Sequence, residues 1–382
     1  MLKIPLILMF FFSAFPCGAQ INGKEKNSNS SDTGLVKNMD QFKIMLKKTE
    51  IENISIAEAG ERPFYNSLNC WALIENQGVD SGDNKSDQSY AFGEPQWDKS
   101  INLKESDTAV VNQLLLDSNN RDAYQLFRLM PHSVMWWIRI NKGISLITLT
   151  TAIHETVHDM HTLMRKCNSG NSTYLFNGYG RITERHPGDS ANFSIVEEVI
   201  PDKFKVLLPS NSNFNTYIIK SKKFTGNDIS TGVDEFNAYT IAANLETNLT
   251  STSVYQKFKT SGLDSYSGNI SGMSDFMLYI LCYFKAARAH YPSTYQNIQN
   301  SHLFLAHINR LWESAENTLS IAYKFTLSEG GIYYVNSQVI AEIYSPELIS
   351  ELDLLGVKHL HFDHWNNTYF SKNRGIKNLP EK

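Results

Sequence analysis

The sequence predicts mixed α+β structure, predominantly helical, with one small sheet. Two observations carry this reading. Long stretches repeat apolar residues at steps of three and four, as in Leu146, Leu149, Ile153, Val157, Met160 and Met164, which is the spacing of a helix with one buried face. One stretch differs: Ser133 to Ile140, SVMWWIRI, is rich in β-forming residues and bounded by Pro131 and Gly143, and that pattern predicts a strand. With 382 residues, 42% hydrophobic and 19% charged, the chain can bury a substantial core. Its net charge of -4 gives no reason to expect nucleic acid or an anionic membrane surface as the main partner.

The elements follow in chain order. Lys3 precedes the mainly apolar run Ile4 to Phe15, and the small residues Gly18 and Ala19 stand before Gln20. This predicts a cleavable signal over residues 1–19 and a secreted or periplasmic mature chain. The run is too short to cross a bilayer, and no later stretch reaches the roughly 18 uninterrupted apolar residues of a spanning helix. A lipid on Cys17 is disfavoured by the bulky Phe15 and rigid Pro16 before it. Residues 20–100 read as a lead-in and a loop-rich region, with a short helix over Val36 to Lys48. The segment VDSGDNKSDQS within it lacks the spaced glutamate of a calcium loop and reads as solvated.

Residues 101–382 form the main domain, beginning with helices over Thr108 to Leu116 and Ala123 to Met130, then the strand, then the helix bearing the apolar stripe. Of the cysteines left after the signal, Cys282 lies in the apolar run FMLYILCYF and reads as a core residue, leaving Cys70 with Cys167 as a possible bridge.

The stretch TAIHETVHDMH, Thr151 to His161, holds the most chemistry. His154 and His158 are four apart, so on a helix both imidazoles project from one face and can reach one ion. Glu155 stands beside them, where its carboxylate can accept a proton from water without filling a ligand position.

With His154, Glu155 and His158 in the H-E-x-x-H arrangement, the chain resembles the zincin superfamily of metallohydrolases. The resemblance implies Zn2+ as cofactor, a peptide or protein as substrate, and a zincin-like α+β fold in which the strand before the motif helix edges the active-site cleft. The metzincin branch needs a glycine and a third histidine where His161 and Met164 stand here. What remains looks like the gluzincin type, in which a glutamate from a later helix completes the metal site.

Glu235 is the leading candidate for that glutamate. Thr231 can cap a helix running through VDEFNAYTIAANL, Val233 to Leu245, which puts Glu235, Ala238, Tyr239 and Ala242 on one face. Two alanines beside the glutamate let the helix come close to a neighbour, and Asp234 or Asn237 could hold the ligands in place. Glu198, His186 and His161 compete with it. Glu197 is accounted for by a capping box with Ser194. His154 and His161 would lie about 10.5 Å apart along a straight helix, so His161 is read as a supporting or cleft residue. Tyr239, His186 and Arg185 are candidates to stabilise an oxyanion, with Arg185, His186 and Asp189 in a loop.

Beyond Ser251 the chain reads as a mainly helical scaffold, through Met273 to His290, His302 to Phe325 and Pro346 to Leu355. In KHLHFDHW, strand alternation would set His359 and His361 on one side as a possible second site with His364. The expectation is an exported zinc metallopeptidase with His154, His158 and Glu235 as metal ligands and Glu155 and Tyr239 as catalytic residues. The alternative is a zincin-like protein without turnover that binds a partner or glycan.

Overall fold

The structure, a computed structural model, describes residues 105–141, 143–167, 174–177, 181–184, 191–207, 213–223, 227–250, 268–329, 337–361 and 365. The signal, the lead-in and loop-rich region, Cys17, Cys70, the loop with Arg185, His186 and Asp189, and His364 lie outside the described residues.

The expected α+β class is overturned: the fold is all-helical. Helices α1 (Glu105–Asp117), α2 (Arg121–Leu129), α3 (Pro131–Ile140) and α4 (Leu146–Cys167) come first. A 3-10 turn at Phe193–Ile195 leads into α5 (Val196–Val199) and α6 (Asp202–Leu207), and a π-helix spans Phe214–Ile219. The long helices α7 (Ile229–Thr250), α8 (Gly268–His290), α9 (Pro292–Asn300) and α10 (His302–Glu329) follow, then α11 (Ser337–Ile343) and α12 (Pro346–Leu355). Among the described residues the only β-structure is a two-stranded antiparallel ribbon of Tyr174–Asn177 and Arg181–Glu184, which packs against α4, α7 and α10.

The expected strand at Ser133 to Ile140 is helix α3, and its contacts give the reason. The Ser133 hydroxyl and the Trp137 indole N–H, the latter at 3.3 Å, both donate to Oδ2 of Asp159 on α4. Residues four apart lie about 6 Å apart along a helix but about 13 Å along a strand, so only a helix brings both to one oxygen. Val134, Met135 and Ile138 are buried in the same helical step, and Pro131 stands at the first turn, where its missing N–H costs nothing. Tertiary packing has overridden β propensity.

Two hydrophobic clusters form the core. One joins α1 to α4 through Val111, Leu115, Leu126, Val134, Ile153 and Val157. The other gathers around α8, which is buried on nearly every side from Met273 to Phe284. Helix α7 belongs to both: Ala238, Ile241, Leu245 and Leu249 enter the first, Val233, Phe236 and Ala243 the second. It packs against α4, α8 and α10. Cys282 sits in the second cluster as expected of a core residue, and burial pushes its thiol well up. No helix among the described residues is long and apolar enough to cross a membrane.

Candidate metal centre

Helix α4 starts cleanly. The Ser145 hydroxyl accepts from the Thr148 N–H at 3.1 Å while the Thr148 hydroxyl accepts from the Ser145 N–H at 2.8 Å, a reciprocal cap. Leu146, Leu149, Ile153, Val157 and Met160 then pack into the first cluster, and that burial turns His154 and His158 toward α7. Helix α7 begins at Ile229, before the expected start, because Asp228 rather than Thr231 caps it: its Oδ1 accepts from the Ser230 N–H at 2.9 Å. Gly232 lies so close to Phe193 that an added Cβ would fall 2.2 Å from the ring. Ala238 and Ala242 are fully buried, so the first turns of α7 can approach their neighbours closely enough for Glu235 to reach the histidines.

Three ligand atoms converge. His154 Nε2 and His158 Nε2 are 3.1 Å apart, and Glu235 Oε2 lies 3.6 Å from the first and 3.4 Å from the second. Among the described residues, this is the one group of three His, Cys, Asp or Glu side chains placed to share an ion. A tetrahedral ion at about 2.0–2.1 Å from each donor sets its donors about 3.3 Å apart, so the triangle has the right size. Glu235 Oε2 is buried and accepts no hydrogen bond.

Supporting groups surround the triangle. His158 Nδ1 lies 3.1 Å from Asp234 Oδ2, and the other Asp234 oxygen meets His161 Nδ1. Asn237 Nδ2 lies 3.3 Å from His161 Nε2. His161 is fully buried in this network and stays out of the triangle. Glu155 Oε1 is buried with no hydrogen-bond partner.

Burial and charge work against each other here. Burial would lower the His158 pKa, but Glu235 and then Asp234 overcome it and hold the imidazole well above its usual range. Burial would raise Asp234, which His161 and His158 pull well below the carboxylate range. Burial would also raise Glu235, and the two imidazoles hold it at about 2 instead. In Glu155 burial wins: its carboxyl is raised, although His154 and His158 pull the other way. A raised carboxyl suits a group that must take up a proton and give it back.

Other expected residues go elsewhere. Tyr239 packs its ring edge-on against His154 with centroids 4.3 Å apart, while its hydroxyl donates to Asn213 Oδ1 at 3.3 Å. Glu198 is exposed and accepts from the Tyr291 hydroxyl at 2.9 Å, and Glu197 pairs with Lys222. Asn192, not Ser194, caps the turn before α5. The segment bearing His359 and His361 forms no strand: their rings meet edge to face at 5.5 Å, and both nitrogens of His359 are engaged, by Asp353 and the Leu360 carbonyl.

Sequence reasoning missed Tyr217 and Asn213. Burial first, then the Glu235 carboxylate that it hydrogen-bonds, raise the Tyr217 phenol well above its usual range. Tyr217 lies on the π-helix, a rare form that recurs at functional sites. The available signal was the step of four between Phe214 and Ile218, both buried, in a region that otherwise reads as loop.

No family model matches this chain, and neither a curated protein nor a solved structure matches it.

Proposed function

We propose that the chain is an exported zinc-dependent hydrolase acting on peptide bonds, with His154, His158 and Glu235 as metal ligands and Glu155 as the proton carrier. The observation that carries this reading is the triangle of buried ligand atoms at 3.1, 3.4 and 3.6 Å, with one carboxylate oxygen that no hydrogen bond occupies. A buried carboxylate oxygen without a donor is costly, and a shared cation removes that cost. The all-helical fold lends no support, so the reading rests on the site alone. Export rests on the pattern of residues 1–19.

A bound zinc ion would lower the pKa of a coordinated water toward about 7 and polarise a scissile carbonyl. Asp234 orients His158 through Nδ1 and leaves Nε2 to face the triangle. Glu155, partly buried and with its carboxyl raised, accepts a proton from the attacking water and passes it to the leaving amine.

Metal analysis of the purified mature chain, beside a peptide-library cleavage assay, tests the proposal. The expected result is one equivalent of zinc and cleavage that chelation abolishes. Glu155→Gln should keep the zinc while hydrolysis falls by roughly 10²- to 10⁴-fold, as for other lost general bases. A chain that takes up no zinc, or a Glu155→Gln variant as active as the parent, overturns it.

A further inference from the structure

The two histidines of the triangle are held in different ways. His158 has the usual device, a carboxylate on its second ring nitrogen. His154 Nδ1 is buried and meets no hydrogen-bond partner, so something else must fix its ring. Two rings meet it edge-on, His158 with centroids 4.8 Å apart and, closer, Tyr239 with centroids 4.3 Å apart. Tyr239 is itself clamped: its ring stacks on Phe276 with centroids 5.6 Å apart and an interplanar angle of 25°.

The clamp continues away from the site. The Tyr239 hydroxyl donates to Asn213 Oδ1 at 3.3 Å, and Asn213 Nδ2 donates to Asp275 Oδ2 at 3.1 Å. With its Nδ2 donating to Asp275, the Asn213 amide presents its oxygen to Tyr239. Gly272 completes the arrangement one turn before Phe276 on α8. An added Cβ there would lie 2.4 Å from the Tyr239 ring and would force it to shift from its contacts with His154 and Phe276.

We infer that Tyr239 is the positioning residue for His154, fixing its imidazole by packing, and that Asn213, Asp275 and Gly272 hold Tyr239 for that purpose. The inference rests on the metal-ligand reading of His154 for its purpose but not for its test. Ring contact replaces the hydrogen bond that His158 donates to Asp234.

Nitrogen NMR of the histidine rings in the metal-free full chain tests it, with His154 assigned by His154→Gln. Tyr239→Leu and Asn213→Ala should shift or broaden the His154 ring signals and leave those of His158 in place, since Asp234 still holds that ring. Tyr239→Phe, which keeps the ring contact, should disturb His154 less than Tyr239→Leu does. A misfolded variant would move both histidines, and Asn213→Ala, at the end of a short helical segment, keeps the test open if Tyr239→Leu fails to fold. In chelator competition, Tyr239→Leu and Gly272→Ala should bind zinc roughly 10- to 100-fold more weakly than the parent, as when other ligand-orienting partners are lost. Unchanged His154 signals in folded Tyr239→Leu overturn the inference. A parent that binds no zinc overturns the functional proposal instead and leaves the ring signals to decide this one.

Discussion

Glu235 and Glu316 are both glutamates on long helices, 8% and 5% exposed, yet their surroundings are opposite. Glu316 Oε1 accepts from the Trp312 indole at 3.1 Å, the Tyr344 hydroxyl at 2.6 Å and the Leu360 N–H at 2.9 Å. Glu235 Oε2 accepts from none and faces two imidazole nitrogens. Burial raises Glu316 despite its donors, whereas at Glu235 the imidazoles prevail and hold the carboxyl at about 2. A buried carboxylate that the chain satisfies from three directions fastens α10 to the segment after α12. One left facing two imidazoles is available to a ligand.

The comparison can be broken most sharply at Glu316. Glu316→Leu leaves three buried donors without their acceptor, at about 1–3 kcal/mol each, so urea unfolding should show a loss of several kcal/mol. The folded fraction should take up zinc like the parent. A midpoint close to the parent's would mean that Glu316 does not fasten these segments.

Glu235→Ala should do the reverse. Zinc affinity in competitive chelator titration should fall well beyond the roughly 10- to 100-fold of a lost supporting partner, with a smaller change in unfolding free energy than at Glu316. Parental affinity would remove Glu235 from the metal site.

Asp275 falls between the two, a partly buried carboxyl with Asn213 as its side-chain donor, and desolvation raises its pKa to about 7. Between pH 4 and 7 the folded chain therefore holds a proton that the unfolded chain has released. Its contribution is fully present below the unfolded value of 3.8 and is lost as pH rises toward 7, by at most about 1.4 kcal/mol per pH unit. The neighbouring phenols of Tyr239 and Tyr279 stay neutral throughout, since burial pushes both well above 10. Asp275→Asn keeps an oxygen for Asn213 and should flatten this slope in unfolding measured at pH 4.5 and 7. An unchanged slope would assign the dependence to other groups.

The smallest effect belongs to Glu198. Exposed and bound only to a surface tyrosine, it should tolerate Glu198→Ala with zinc affinity unchanged and stability within about 1 kcal/mol. A marked loss of zinc would place the third ligand before Pro201.

The sequence disclosed what depends on local spacing. His154, Glu155 and His158 share a turn of one helix, and the apolar stripe beside them showed which way that helix faces. Glu235 was legible because Ala238 and Ala242 follow it at helical steps. The expected strand failed because a run such as SVMWWIRI takes its form from what it packs on, and the contacts of Ser133 and Trp137 with Asp159, more than twenty residues on, are invisible to local propensity. The start of α7 was misjudged by three residues because Asp228 and Thr231 are both good caps. Asn213 and Tyr217 share one short segment and Asp275 lies on α8, and no spacing rule links either segment to the motif helix.

Helix α7 carries Glu235 and Tyr239 while sending alternate faces into two separate cores. Neither core can come apart without exposing apolar surface on the same helix, so the two should melt as one cooperative unit. The amides in the middle of α7 should then exchange with solvent only through global unfolding. Any opening at the triangle must then come from segments committed to a single core, such as the π-helix whose Tyr217 hydrogen-bonds Glu235.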